Sequence, residues 1–368
     1  SMVEAATSAD AQFVTLHELV KVARLNLANG PWDYLTGGAE SETTLRRNRL
    51  ALDGIAFRPR VLRDVSRVDG TGALFGRPLR IPVVLAPVGS VEMFEPGGAA
   101  TAAKAAARFG IASFVSSVSQ PGLEETAAAT DGRKIFQLYV RGDAAWVDDK
   151  VRRAVDAGYE AFCLTVDTAV YSRRERDLAK RYKPTGRRRD VGGQEFQAAL
   201  NWEDVKRIRG KLRLPLILKG IATAEDAELA CAAGIDGVYV SNHGGRQLDH
   251  GRGTVDILPE VAAAVRGRAQ IIVDGGFCRG SDVVKAIALG ADAVGIGRLY
   301  CYGLAAAGEA GVLRILELLE IEIATTLGLL GVTGWQALDK SCLHPAPAVA
   351  AAHGTCAFPL LDLAGPGY

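Results

Sequence analysis

From Pro82 onward the chain repeats one unit: a short apolar run, a turn, then an alanine-rich stretch of helical character. The runs are PVVLAPVG (82–89), IASFVSS (111–117), IFQLYV (135–140), AFCLTVDT (161–168), LPLILKG (214–220), GVYVSNHGG (237–245), IIVDGG (271–276) and AVGIGR (293–298). Each is too short for a helix and is bounded by Gly, Pro, Asp or Ser, as a parallel strand buried on both faces should be. Between them GGAATAAKAAARFG, AAWVDDKVRRAVDAGY, TAEDAELACAAG and SDVVKAIALGA read as helices. Asp226 and Asp282 stand near helix starts, and Gly110, Gly158, Gly234 and Gly290 stand where helices should stop. Eight strands alternating with helices predict an α/β protein of the (β/α)8 TIM-barrel type. A doubly wound sheet would require G-x-G-x-x-G after its first strand, and APVGSVEMF does not supply it.

The flanks read differently. Residues 15–52 are helical in pattern, and FRPRVL with ALFGRPLR around Asp69-Gly70 reads as a hairpin. The tail after about residue 305 is helical again and ends in an Ala/Pro/His-rich stretch. We therefore expect one domain over 1–368, with an N-terminal extension (1–80), a barrel core (81–305) and a C-terminal helical region and tail (306–368). The longest interruption, 175–200, contains RYKPTGRRRDVGG and reads as a solvated loop.

Composition narrows the function. Glycine is in excess, 42 of 368 residues, against roughly 7% in average usage, so many backbone positions need special geometry. A formal net charge of +1 gives no support for a nucleic-acid or membrane-surface partner. No apolar run reaches the ~18 residues of a membrane span. Glu4, Asp10, His17 and Glu18 do not fit a signal peptide, and the six scattered cysteines form no C-x-x-C pair. Reduced thiols and a cytoplasmic protein are the expectation. No H-x-x-x-H or His/carboxylate cluster occurs at ligand spacing, so no metal is expected.

Barrel enzymes carry their chemistry at the C-terminal strand ends. Those ends hold Ser116 and Ser117, Gln137 and Tyr139, Thr165 and Asp167, Lys219, then Ser241, Asn242, His243 and Arg246, then Asp274-Gly275-Gly276, and finally Gly297-Arg298. The glycines after the last two strands suit a phosphate held on backbone N–H groups, with Arg298, reinforced by Arg279, adding charge. His243 is the leading acid/base residue, with Asp167 to orient it and His250 as the alternative. Arg246 and Arg174 suit bidentate recognition of a carboxylate, or else form surface ion pairs. Lys219 is open to three roles: Schiff base, partner of a buried carboxylate, or counter-charge to an anionic cofactor.

Ser241-Asn242-His243-Gly244-Gly245-Arg246-Gln247-Leu248-Asp249 resembles the signature of the FMN-dependent 2-hydroxy-acid oxidase and dehydrogenase family. YLTGGAE (34–40), LAPVG (85–89), QLYV (137–140), LTVDT (164–168), ILKG (217–220), DGG (274–276) and GIGR (295–298) are similar to its other motifs, in order. The resemblance implies FMN as cofactor and oxidation of a 2-hydroxy acid to the 2-keto acid. His243 is then the base and Asp167 its partner, with Arg246, Arg174 and Tyr34 on the substrate carboxylate. Tyr139 lies beside substrate and flavin, and Lys219 faces the flavin N1–C2 carbonyl edge. Ala86, Pro87, Val88, Ser116, Gln137, Thr165 and Ser241 contact the ring or ribityl chain, and Asp274, Gly276, Gly297 and Arg298 hold the ribityl and phosphate end.

The sequence departs from the family in three places. Cys278 stands where a second arginine is common, Val118 replaces a tryptophan in the substrate wall above a small Ser90, and the segment between Arg174 and Lys219 is short. TAVYSRRERDL is similar to the mandelate branch. With the smaller wall, this implies an aromatic substrate such as mandelate or 4-hydroxymandelate, oxygen as acceptor and hydrogen peroxide as product. A short-chain lactate or glycolate oxidase, a dehydrogenase with another acceptor, or a non-redox phosphate-binding barrel lyase or isomerase are the alternatives. The family also implies a homo-oligomer, a tetramer.

Overall fold

The eight apolar runs become the strands of a closed parallel barrel: β1 (Val83–Leu85), β2 (Ser113–Ser116), β3 (Lys134–Leu138), β4 (Ala161–Thr165), β5 (Leu216–Ile221), β6 (Gly237–Val240), β7 (Gln270–Val273) and β8 (Ala293–Ile296). The computed structural model describes residues 12–190 and 192–362. Each strand pairs with its chain neighbours, and β8 closes on β1 through Val294–Val83 and Ile296–Leu85. Leu85, Val115, Phe136, Leu164, Leu218, Val240, Val273 and Ile296 are at most 3% exposed. Such continuous apolar strands need cover on both faces, which the outer helices provide. Thr223 caps its helix by accepting from the Asp226 N–H, and Gly110, Gly158, Gly234 and Gly290 all take positive φ where helices stop. The six cysteines are free thiols. Among the described residues, no helix is long and apolar enough to cross a membrane.

Two expectations about the flanks are corrected. ALFGRPLR forms a hairpin by itself, Gly72–Leu74 with Arg77–Leu79, turning at Phe75-Gly76 where both residues take positive φ. FRPRVL is not its partner. Ile55–Phe57 pairs instead with Leu343–Pro345 near the C-terminus, a long-range register that local pattern does not encode. The helical region 15–52 resolves into Leu16–Asn26, Asn29–Thr36 and Thr43–Asp53, and the tail helix Arg298–Leu330 kinks at Ala307-Gly308.

Segment 175–200 is solvated along much of its length, with Arg181, Lys183, Arg187, Arg188, Arg189 and Asp190 exposed, but it is not an irregular loop. It forms three short helices, Glu175–Ala179, Thr185–Arg188 and Gln194–Ala199. These are pinned across the barrel mouth on both sides. Gly186 N–H donates to Ser90 Oγ at 2.7 Å, and Thr185 and Arg189 both bond Glu92. On the other side Gln197 accepts from Val140 N–H at 2.7 Å and donates to Thr165 carbonyl at 2.8 Å. A few polar groups fasten the segment (Thr185, the Gly186 N–H, Arg189 and Gln197), and most of its charged side chains stay in solvent.

Candidate active site

A cavity of about 580 Å³ opens at the C-terminal strand ends. It runs from the β7 and β8 glycines, past Lys219 and His243, to a mouth walled by the 175–199 segment. Lining it are nine Lys or Arg residues against two Asp, in a chain whose net charge is only +1. So large a local excess marks a site for anions.

At the β4–β6 corner, His243 Nδ1 lies 3.2 Å from Asp167 Oδ1, and its Nε2 lies 3.4 Å from the Tyr139 hydroxyl. Burial, and then Lys219, hold the imidazole below its ordinary range, against the opposing pull of Asp167. Burial alone would raise the Asp167 carboxyl, but His243 and Lys219 reverse that and keep it below the usual range. The pair is therefore carboxylate and neutral imidazole at pH 7, the state of a competent base. For Lys219, burial works against the charge, and Asp274 and Asp167 outweigh it, holding the ammonium above its ordinary range. It faces the cavity 5.5 Å from the Tyr239 ring and forms no hydrogen bond among the described residues. Burial pushes the Tyr139 phenol up to about 12, so it stays protonated.

The run Ser241–Asp249 divides its labour. Ser241 Oγ donates to Asp274 at 2.6 Å and accepts from His243 N–H at 3.0 Å. Asn242 and Asn48 pair their amides reciprocally at 2.7 and 3.0 Å. Asp249 accepts from the N–H groups of Ser41, Thr43 and Thr44 at 2.9–3.0 Å, capping the Thr43–Asp53 helix. That helix docks so closely that a Cβ on Gly245 would lie 2.5 Å from Leu45 backbone, and one on Gly276 3.0 Å from Asn48. Gly245 and Gly276 thus let this helix in. Gly297 instead faces open space.

Arg246 lines the cavity, its Nη1 donating to the Tyr34 and Gly37 carbonyls and its guanidinium 4.6 Å over the Tyr34 ring. Burial and then Arg174 lower it to about 10, so it remains charged at neutral pH. Arg174 makes only long contacts, 3.4 Å to Ser172, to the Arg246 carbonyl and to Gln247. Both guanidinium groups retain donors for a carboxylate. Tyr34 OH donates to Gly89 carbonyl at 3.1 Å on the opposite wall, beside Val118.

The phosphate end is built otherwise. Arg298 donates to the Leu35, Gly37 and Gly244 carbonyls at 2.9 Å each through Nε and Nη2, leaving Nη1. Two of those carbonyls close the Asn29–Thr36 helix, whose negative end favours a cation. The N–H groups of Gly276 and Gly297 donate to no acceptor among the described residues, and Arg298 opens the long tail helix, whose N-terminus favours an anion.

Several expected ligands are placed elsewhere. Ala86, Pro87, Val88, Val118, Asp274, Gly276, Gly297 and Arg298 line the cavity, as do the β4–β6 residues just described, Asp167 excepted. Ser116, Gln137, Thr165 and Ser241 sit behind the lining, each at most 4% exposed. Gln137 donates to Thr165 Oγ1 at 2.7 Å, and its Oε1 is buried with no partner, an acceptor left for a ligand N–H. Asp274 is held by Tyr239 at 3.0 Å and Ser241 at 2.6 Å. Arg279 does not reinforce the phosphate end. It forms a bidentate pair with Glu322 at 3.0 Å and is turned from the cavity. His250 is 67% exposed and lies outside it.

Two contributors went unread in the sequence. Arg49 lines the cavity beside Cys278, its charge fixed by Asp282 and Asp53 at 2.6 Å each and its Nη1 on the Gly276 carbonyl at 2.7 Å. Gly220, at φ +120°, lets Asp167 approach, since a Cβ there would fall 2.7 Å from Asp167 Cβ. The β-bulge between Lys219 and Ile221 was its one signal, and it exists only in the paired sheet.

The family model of FMN-dependent dehydrogenases matches residues 23–345. Glycolate oxidase 1 of Zea mays is 40% identical over 344 residues, covering 88% of this chain and 93% of its own. An L-lactate oxidase of Nostoc sp. is 37% identical over 357 residues, covering 90% and 98%. Among solved structures, a mandelate oxidase with (S)-2-phenylpropionate is similar with a TM-score of 0.84 at 40% identity, over 92% of this chain and 100% of that one.

Proposed function

The chain belongs to the FMN-dependent dehydrogenase family, and we propose that it oxidises an aromatic (S)-2-hydroxy acid, of the mandelate or 4-hydroxymandelate kind, with oxygen reduced to hydrogen peroxide. The observation that carries the reading is the His243–Asp167 pair at 3.2 Å, in one cavity with two guanidinium groups that keep donors to spare. FMN, when bound, supplies the two-electron acceptor. Lys219 and the N–H groups of Gly276 and Gly297, with Arg298 Nη1, would hold its anionic parts, and Gln137 Oε1 fits a ring N–H.

Arg246 and Arg174 hold the substrate carboxylate and fix which face of the α-carbon meets His243. His243 takes a proton from the substrate, from the α-carbon or from the hydroxyl. Asp167 offsets the charge that then develops on the ring, as a triad carboxylate does. The 175–199 segment walls the mouth beside this exchange. A lyase reading through Lys219 loses ground on the same geometry, because Asp274 and Asp167 hold its ammonium charged and a Schiff base needs the free amine.

Support for an aromatic side chain comes from the lining, to which Val118, Phe94, Tyr34 and Tyr171 contribute apolar surface, and from the mandelate oxidase structures, similar over 92% of this chain. The short-chain reading draws on Gly186, which the Ser90 bond brings onto Val118, and on the glycolate oxidase likeness. Anaerobic bleaching of the flavin by mandelate, lactate and glycolate in turn, followed by air and a peroxide assay, separates them. Faster bleaching by lactate or glycolate than by mandelate overturns the aromatic reading, and turnover without peroxide overturns the oxidase.

A further inference from the structure

Beyond the groups that hold a cofactor phosphate and one carboxylate, the cavity mouth carries cations that lack a close carboxylate partner. At its mouth, Arg141 donates only to the neutral Gln194 Oε1, at 2.6 Å. Lys150 stands 5.1 Å over the Trp146 ring and forms no hydrogen bond among the described residues. Arg187 lies 3.7 Å over the Tyr171 ring, and its one carboxylate neighbour, Asp190, is 3.9 Å away. Asp149 and Glu124 act on Lys150 through space without bonding it, and of these four cations only Arg189 has a close carboxylate, Glu92 at 2.7 Å. Elsewhere this chain pairs its arginines closely, as in Arg80–Glu320, Arg153–Glu124 and Arg279–Glu322. Burial is the first cause lowering the Lys150 ammonium, so the charge is kept there at a cost in solvation.

Resting on the 2-hydroxy-acid reading, we propose that Arg141, Lys150 and Arg187 form a distal subsite that binds a second anionic group, carried at the far end of the substrate's aromatic side chain. Trp146 and Tyr171 line the same mouth, Trp146 beneath Lys150 and Tyr171 beneath Arg174 and Arg187, so the ring that bears the anion would enter beside aromatic groups. Arg174 and Arg246 anchor one end of the molecule at the α-carboxylate, and the mouth cations anchor the other. The preferred substrate is therefore a 2-hydroxy acid with a para-carboxylate or similar anion, rather than the unsubstituted ring.

The test compares mandelate, 4-methylmandelate, 4-carboxymandelate and 2-carboxymandelate by anaerobic flavin reduction of the holoenzyme. We expect a Kd about tenfold lower for the 4-carboxy than for the 4-methyl compound, the gain of one charge-assisted contact, and no such gain for the 2-carboxy isomer of equal charge. Arg141→Gln and Lys150→Gln should each remove most of the gain while leaving mandelate reduction unchanged, and Lys150→Arg should keep it. Equal Kd for the 4-methyl and 4-carboxy compounds overturns the proposal, as does an equal gain for both isomers, which would mean only general attraction to a positive cavity. A second readout is independent of redox chemistry: the part of the tryptophan quenching by 4-carboxymandelate that Trp146→Phe abolishes. If that quenching is present but no 2-hydroxy acid reduces the flavin, the subsite stands and the oxidase reading falls. Its absence in an enzyme that mandelate does reduce overturns the subsite alone.

Discussion

The two halves of the cavity solve opposite problems. At β4–β6, polar side chains are held under-satisfied among the described residues: Lys219 without a hydrogen bond, Asp167 Oδ2 buried without a partner, His243 Nε2 at a long 3.4 Å from Tyr139. At β7–β8 the side chains are tied to fixed partners, Asp274 to Tyr239 and Ser241, Arg298 to three carbonyls, and Arg49 to two carboxylates although its Nε is buried with no partner among the described residues. What is left there to meet a ligand is mostly backbone N–H. A reacting group must change its bonding during turnover, so spare capacity is kept where protons move. A cofactor that stays put is better served by a rigid cradle.

Substitutions can break that contrast. His243→Ala should cost the most, about 10⁴-fold in flavin reduction, the upper range for a general base, while bound FMN stays at the wild-type level. Loss of the flavin together with the rate would show that the halves are not separable. Arg246→Met should follow, with kcat/KM down about 10³-fold, the cost of a lost charge-assisted pair in a buried site. Across the cavity, Arg49→Met should leave Asp282 buried without its cation and destabilise the fold by about 3–5 kcal/mol, seen as a lower thermal midpoint. An unchanged midpoint would remove Arg49 from the cradle.

Gly220→Ala is a subtler probe of the reactive half. It strains the backbone and displaces Asp167, so about 10²-fold loss in kcat is expected from misplacement alone, with stability falling less than in Arg49→Met. The pH profile is the mildest test. His243 must be neutral to accept a proton, and its folded pKa is lowered by burial and Lys219. Thus kcat/KM should stay flat from neutrality down to below the ordinary histidine range and then fall about tenfold per unit as the ring protonates. A fall already complete at pH 7 would contradict the assigned environment.

Much of the site was legible because strand ends are local in sequence. His243 and Arg246 share one short run, Asp167 and Lys219 each close an apolar strand, and the barrel rule sends all of these ends to one mouth. Arg279 misled because a cation after the β7 glycines has no sequence mark of facing Glu322, 43 positions away. The fastenings of segment 175–199 were not legible because the residues that hold it, Ser90, Glu92 and Val140, lie on other connections.

What the chain's order alone determined, then, is the eight-strand barrel and the identity of the groups that its strand ends deliver. Periodicity and turn residues act within a few positions, and those suffice for both. Tertiary structure decided which of these groups remain free. Asp249 capping a helix some two hundred positions upstream, Asn48 paired to Asn242, and Gly220 admitting Asp167 are contacts made only once the barrel closes. The physical reason is competition: each buried donor or acceptor takes the partner that folding brings nearest, and only those left over can bind or react.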